Sequence, residues 1–304
     1  MTRHGQVGYL HLKLIMTLLV RDEADIIRTN IEFHLAQGVD FIVAVDNNSL
    51  DGTRDILDDY ARAGVAQVFD EPGRDYAQSN WVTRAALHAR EALSADWILN
   101  NDADEFWTAP GTTLKDVVRG AGHSLLRCPR LNMFCACDDP ETGGWPERLI
   151  YRVSQPVPEI RLADFYNDPL PCPYLYLDLP SKALVRAAGL TRVAQGNHGA
   201  EFDGTIDEAS AAVEIFHFPI RSRRQLEKKV IQGGQAYAAN TELPERAGWH
   251  WRRWYSIYQK QGIDAVFADA CPSRQRLDSD LAAGGVIKDT RFRARTTPVF
   301  DSSS

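Results

Sequence analysis

The chain has no long apolar run, no basic stripe, no paired cysteine framework and no glycine-rich phosphate loop. Each absence excludes a class of protein. The N-terminal hydrophobic stretch covers only Leu14 to Val20, and about 18 residues are needed to span a bilayer. No small-residue cleavage site follows it, so a buried strand behind a short tail is expected, not an anchor or a leader. The formal charge is −7 and the isoelectric point about 5.6, the reverse of a nucleic-acid-binding footprint. The five cysteines (Cys128, Cys135, Cys137, Cys172, Cys271) are odd in number and irregularly spaced. Cys135-Ala-Cys137 has no matching second pair, so the thiols read as small buried hydrophobes in a reducing, cytoplasmic setting. No repeat or polar low-complexity linker divides the 304 residues, which suit one large α/β domain or two small ones.

What is present alternates. Leu12–Val20 reads as a strand buried on both faces, and RDEADIIRTNIEFHLAQG as a helix stopped by Gly38. VDFIVAV is a second buried strand, DGTRDILDDYARAG a helix that Asp51 or Thr53 can cap, and VAQVFD a third strand. Asp75–Leu93 reads as a helix and Trp97–Leu99 as a fourth strand. This alternation predicts a mostly parallel sheet with helices on both faces, in which ligands bind at the carboxyl ends of the strands. Each polar cluster falls there: Arg21-Asp22-Glu23, Asp46-Asn47-Asn48, Asp70-Glu71 and Asn101 to Glu105. Beyond residue 107 the pattern loosens. LLRCPRLNMFCA can form a strand, a helix is expected from Ser222 to about Asn240, and WHWRRWYSIYQKQG reads as a surface-packed helix. The tail TTPVFDSSS reads as frayed.

Asn101-Asp102-Ala103-Asp104 sets two carboxylates two residues apart behind a buried strand. Both can turn to one side and share a hard divalent cation, Mn²⁺ or Mg²⁺, with phosphate oxygens; a solvated acidic turn is the bland alternative. In DNNSLDGT, Asp46 can accept hydrogen bonds from a base or ribose, or the segment can be an ordinary strand-to-helix loop. Trp249, Trp251, Trp254, Tyr255 and Tyr258 recur at roughly helical spacing, which suits core packing or self-association more than a sugar platform.

LLVRDEADIIRTNIEFHLAQGVDFIVAVDNNSLDGTRDIL, then Gln78, then ILNNDADEFW, resembles the family 2 glycosyltransferases, nearest a bacterial subgroup with DNxSxDGT and DxDEF motifs. The resemblance spans about residues 12–107 and thins afterwards to Pro180-Ser181-Lys182 and His217–Ser222. It implies a GT-A type fold: a Rossmann-like sandwich with a C-terminal, acceptor-side helical extension. Residues 1–107 would be the nucleotide-sugar half, 108–240 the acceptor-side half, and 241–304 the helical extension and tail. It further implies a metal-dependent transfer, inverting in outcome, from a nucleotide-diphosphate sugar (UDP favoured) to a glycan or lipid-linked acceptor.

Carried over by residue, Val20, Arg21, Glu23, Asp46, Asn48, Asp51, Gln78, Arg84 and Asn101 would border the nucleotide sugar. Asp102 and Asp104 would serve ribose, metal and diphosphate. His217 would be a third metal ligand, with His198 the alternative, and Lys182, Arg221 and Lys229 would reach the diphosphate. The run Arg221–Lys229 also fits a solvated helix face. No later acidic pair supplies an evident base; Asp138, Asp139, Glu141, Glu147 and Asp164 are the candidates. Peripheral association with the inner membrane face and homo-oligomerisation are compatible with this reading. The rivals are a nucleotidyltransferase or phosphohydrolase on a similar sheet, and a non-catalytic nucleotide-sugar or glycan-binding module.

Overall fold

In a computed structural model, residues 12–73, 78–158, 160–239, 244 and 246–295 are described. Strands and helices alternate at first: β1 (Leu14–Val20), α1 (Ile27–Ala36), β2 (Phe41–Asp46), α2 (Thr53–Arg62), β3 (Ala66–Asp70), α3 (Gln78–Glu91) and β4 (Trp97–Asp102). Shorter pieces follow: β5 (Glu105–Thr108), α4 (Leu114–Arg119), β6 (Leu125–Cys128), β7 (Arg130–Asn132), α5 (Trp145–Arg148) and β8 (Tyr151–Val153). Next are β9 (Lys182–Arg186), β10 (Leu190–Val193), β11 (Ala200–Phe202), β12 (Glu208–Ser210) and β13 (Glu214–His217). The last are α6 (Arg223–Ala239), α7 (Trp249–Gln261), α8 (Ile263–Ala270), α9 (Arg274–Ala282) and β14 (Val286–Lys288).

Seven strands form the central sheet in the order β12-β6-β9-β4-β1-β2-β3. β4, β1, β2 and β3 are parallel, and β9 runs antiparallel to both β4 and β6. This is the mixed α/β class with a mostly parallel sheet that the alternation predicts. The apolar runs are continuous because both faces are covered. Leu14, Met16 and Leu18 pack with α1 and α2, while Ile15, Val43 and Ile98 meet Val82, Ala85, Ala86 and Ala89 of α3.

Three boundaries differ from the sequence reading. The first helix starts at Ile27, not Arg21, because Asp22 takes a left-handed φ of 58° and its side chain accepts the Leu50 N–H, leaving residues 21–26 as a loop. Pro129 divides the expected strand 125–136 into β6 and β7, since proline cannot donate to a ladder. Gly52, with φ 94°, precedes α2 where Asp51 or Thr53 was expected to cap; Asp51 instead accepts the Thr53 N–H. The expected start at Asp75 of the third helix, the expected end near Asn240 of the helix from Ser222, and the C-terminal tail lie outside the described residues.

A second sheet, β5-β13-β7, sets the site. β13 pairs antiparallel with β5, placing His217 opposite Glu105, and parallel with β7, placing His217 opposite Asn132. A further core joins Phe134, Tyr174 to Leu177, Leu226, Val230 and residues of α7 to α9. Trp254 is buried there, so the aromatic run of α7 serves packing. Against it, Gly234 of α6 lies where an added Cβ would come 2.2 Å from Tyr255, so any larger residue forces the helices apart. No helix among the described residues is long and apolar enough to cross a membrane.

Candidate active site

The carboxyl ends of β1, β2 and β4 meet as the parallel order requires. Val20 lies beside Asp46 in register, and Leu19 beside Asp102. Among the described residues, three of the four non-glycine residues with positive φ sit in the loops here: Asp22, Asn48 (56°) and Asn197 (61°). Such conformations cost energy and persist where surrounding contacts enforce them. Asn47 enforces one by donating to the carbonyls of Glu71 and Gly73 at 2.8 and 2.7 Å. Asn48 donates to the Glu71 carbonyl at 3.3 Å, Asp46 accepts the Ser49 N–H, and Arg84 pairs with Glu71. Arg21 lies along Asp22, and Gln78 accepts from Gln195. Arg21, Asp46, Asn48 and Arg84 are thus linked through their neighbours at the ends of β1, β2 and β3.

The β4–β5 turn carries Asp102 and Asp104 to the centre. Asp102 pairs with Lys182 of β9 and accepts from Asn197 Nδ2 at 3.2 Å. Asp104 Oδ2 lies 2.7 Å from Lys229 Nζ, and its Oδ1 faces His217 Nε2 at 3.8 Å. Lys229 also reaches Glu23 at 2.8 Å, and Arg221 holds Glu23 and Asp25. Lys228 and Gln232, from the same helix, reach Asp22 at 3.2 and 2.7 Å. The run Arg221–Lys229 is therefore not a solvated face: Arg221, Lys228 and Lys229 turn toward the acidic strand ends.

Burial alone pushes the Asp104 carboxyl up, but Lys229 and Arg221 outweigh it and hold it well below the usual carboxylate range. Glu105 is fully buried, and burial pushes its carboxyl up to about 7 against Lys182 and Arg130. Burial drives the His217 imidazole well below its ordinary value, so it is neutral. His217 Nδ1 donates to Asn132 Oδ1 at 2.7 Å, which leaves the Nε2 lone pair aimed at Asp104.

Two lone-pair donors, one oxygen and one imidazole nitrogen, thus face each other with no proton between them. That arrangement fits a divalent cation. Asp102 is committed to Lys182 and Asn197, and no cluster of three ligating side chains is gathered among the described residues. His198 donates from Nδ1 to, or is held by, the Ser181 carbonyl at 3.1 Å, and its ring lies over Gly196, where a Cβ would come within 2.7 Å. It flanks Lys182 and is held at Ser181, whereas His217 faces Asp104, so the geometry favours His217.

Other expected site residues sit elsewhere. Asn101 is a core residue: it accepts from Trp107 Nε1 at 2.9 Å and donates to Asn30 at 3.0 Å, away from the rim. Of the base candidates, Asp138 and Asp139 take the backbone and side chain of Arg274, and Glu141 takes Arg223. Asp164 is exposed and closes its own turn with Asn167, and Glu147 is exposed on α5. None is brought to Asp104. Sequence reading missed Asn132, Asn197, Lys228 and Gln232; the one signal was the polar run on α6 directly after His217.

Buried His34 supplies a pH prediction. Its pKa falls to about 4 through burial, while Nε2 accepts the Trp107 N–H at 3.1 Å. The unfolded chain binds a proton near pH 6.5 that the native state refuses until about pH 4, so stability is complete above 6.5 and lost between them. The shift is worth roughly 3 kcal/mol. His198 (about 4) and His250 (about 3) act in the same sense, and Glu105 opposes them. Chemical denaturation should show lower stability at pH 5 than at pH 7.5; equal stability would contradict a buried neutral His34.

Residues 16–123, roughly a third of the chain, match the glycosyltransferase family 92 model, a different numbered family from the one the motifs resemble. No curated protein matches. Among solved structures, S. aureus TarS 1-349 in complex with UDP is 11% identical over 90% of this chain and 92% of that one, at TM-score 0.37. TarS in complex with UDP-GlcNAc is 12% identical over 82% and 73%, at 0.39. Glucosyl-3-phosphoglycerate synthase from Mycobacterium tuberculosis, with Mn²⁺, UDP and phosphoglyceric acid, is 18% identical over 40% and 44%, at 0.27. These likenesses are faint, and nothing about this chain's substrate rests on them. The family 92 match stops before Lys182, His217 and α6, but it takes in the ends of β1, β2 and β4 and the Asp102–Asp104 turn, and over that span the chain is similar to a glycosyltransferase family.

Proposed function

We propose that this protein transfers a sugar from a nucleotide-diphosphate donor, a UDP-sugar foremost, to a glycan or lipid-linked acceptor with divalent-cation assistance and inversion, on a GT-A type fold. The observation that carries the reading is the Asp104–His217 pair facing across 3.8 Å at the sheet's carboxyl edge, ringed by Lys229, Arg221 and Lys182. Asp104 and His217 would hold Mn²⁺ or Mg²⁺, which supplies charge stabilisation to a leaving diphosphate. The chain's own part is to keep His217 neutral through Asn132, to keep Asp104 ionised through Lys229, and to offer cationic donors as negative charge develops. Asp46 and Asn47 shape the nucleoside rim, with Glu71 and Gly73 fixed by Asn47. Inversion requires a carboxylate to deprotonate the acceptor; of the candidates, Asp138 accepts the Arg274 N–H, and Glu147 and Asp164 are exposed. Free thiols at all five cysteines suit a reducing cytoplasm.

The test is a nucleotide-sugar panel with Mn²⁺ and a coupled assay for nucleoside diphosphate. A UDP-sugar should release UDP at a rate raised by Mn²⁺ and lowered by chelation. Folded protein that neither binds nor turns over any donor would sink the proposal.

A further inference from the structure

The two carboxylates of the Asp102–Asp104 turn are each met by a lysine, from opposite sides. Lys182 arrives from β9 and Lys229 from α6. Each lysine also touches a second acid outside that pair: Lys182 lies 3.2 Å from Glu105, and Lys229 2.8 Å from Glu23. Either ammonium can therefore leave its aspartate and remain paired. Lysine suits such a role, because a point charge on a flexible four-carbon stem moves without the fixed fork geometry of arginine. Lys182 is 1% exposed, so it has no solvated resting place and must stay within this lattice.

Resting on the nucleotide-diphosphate reading above, we propose that Lys182 and Lys229 are exchangeable counter-ions, which give up Asp102 and Asp104 to a divalent cation and pass to the diphosphate that accompanies it. The electrostatics decide the order of affinities. A cation arriving alone meets two ammoniums already seated on its carboxylates, and like charges confined in a low-dielectric site repel strongly. A diphosphate brings the compensating negative charge, and its oxygens accept charge-assisted hydrogen bonds from the same ammoniums. Metal and diphosphate then strengthen each other's binding by the same factor, as linkage demands.

Mn²⁺ binding to the full chain, followed by electron paramagnetic resonance with and without saturating UDP, tests this without any turnover. The parent protein should bind Mn²⁺ weakly alone and on the order of tenfold or more tightly with UDP. Lys229→Met should bind Mn²⁺ alone on the order of tenfold more tightly than the parent and lose most of the gain from UDP. Lys229→Arg, which keeps the charge, should bind Mn²⁺ alone as weakly as the parent. Circular dichroism checks each variant's fold, and Lys229→Gln replaces Lys229→Met if the latter does not fold. A folded charge-removing variant with parental Mn²⁺ affinity in the absence of UDP overturns the exchange and leaves the nucleotide reading intact. A parent that binds UDP with no gain in Mn²⁺ affinity does the same. A parent that binds neither overturns the functional reading, and the exchange with it.

Discussion

Asp104→Asn is expected to give a folded protein whose donor turnover is lower by roughly 10³-fold or more. The change removes a single charge and keeps the side chain's shape. It replaces one of the two oxygens with an amide NH2, so His217 Nε2 and Lys229 Nζ can no longer both face an oxygen, and the one that remains is uncharged. The fold survives because Lys229 keeps Glu23, and because the Asp104 carbonyl still accepts the Phe218 N–H at 2.8 Å, which fastens the turn to the end of β13. The loss should therefore appear in kcat with little movement of Tm. Asp138→Asn, Glu147→Gln and Asp164→Asn, changed on surfaces with other partners, should stay within about twofold of the parent. Equal losses at Asp164 and Asp104 would show that the site is misplaced.

The contrast between those residues marks what the sequence can convey. Strand ends are legible, because buried strands announce themselves as apolar runs and parallel order puts their carboxyl ends together. Asp46, Asp102 and Asp104 follow from that alone. Asp22 is harder: its cluster is visible, but its left-handed backbone is set by contacts to Leu50 and Ser49, 28 and 27 residues away. The facing of His217 and Asp104 depends on β13 inserting between β5 and β7, pairings across 106 to 112 and 85 residues that no local pattern encodes. The same holds for α6. Lysines beside a histidine strand look like a solvated helix face until the acids opposite are known.

One signal was present and points to a second large effect. Asn30 and His34 are polar residues one turn apart on the apolar stripe of α1, and both are fully buried. Asn30 Nδ2 donates to the carbonyls of Ala103 and Glu105, each at 2.9 Å, so it grips the Asp102–Asp104 turn from beneath. Its Oδ1 accepts from Asn101, whose own Oδ1 takes the Trp107 indole N–H. Asn30→Ala takes this donor from two buried carbonyls and leaves Asn101 Nδ2 only the weak acceptor Met16 Sδ, at a cost of about 3–4 kcal/mol. Tm should fall by roughly 5–10 °C. Turnover should fall as well, because a turn that has lost its anchor no longer presents Asp104 to His217; a misplacement near 1 Å can cost about 10²-fold. Asn30→Asp separates the two roles. It keeps an acceptor for Asn101 but loses the donor to Ala103 and Glu105, so activity should drop as far as in Asn30→Ala. Full activity in a folded Asn30→Ala protein would mean that the turn is held by the Phe218 N–H and the ion pairs alone, and that α1 contributes only to the core.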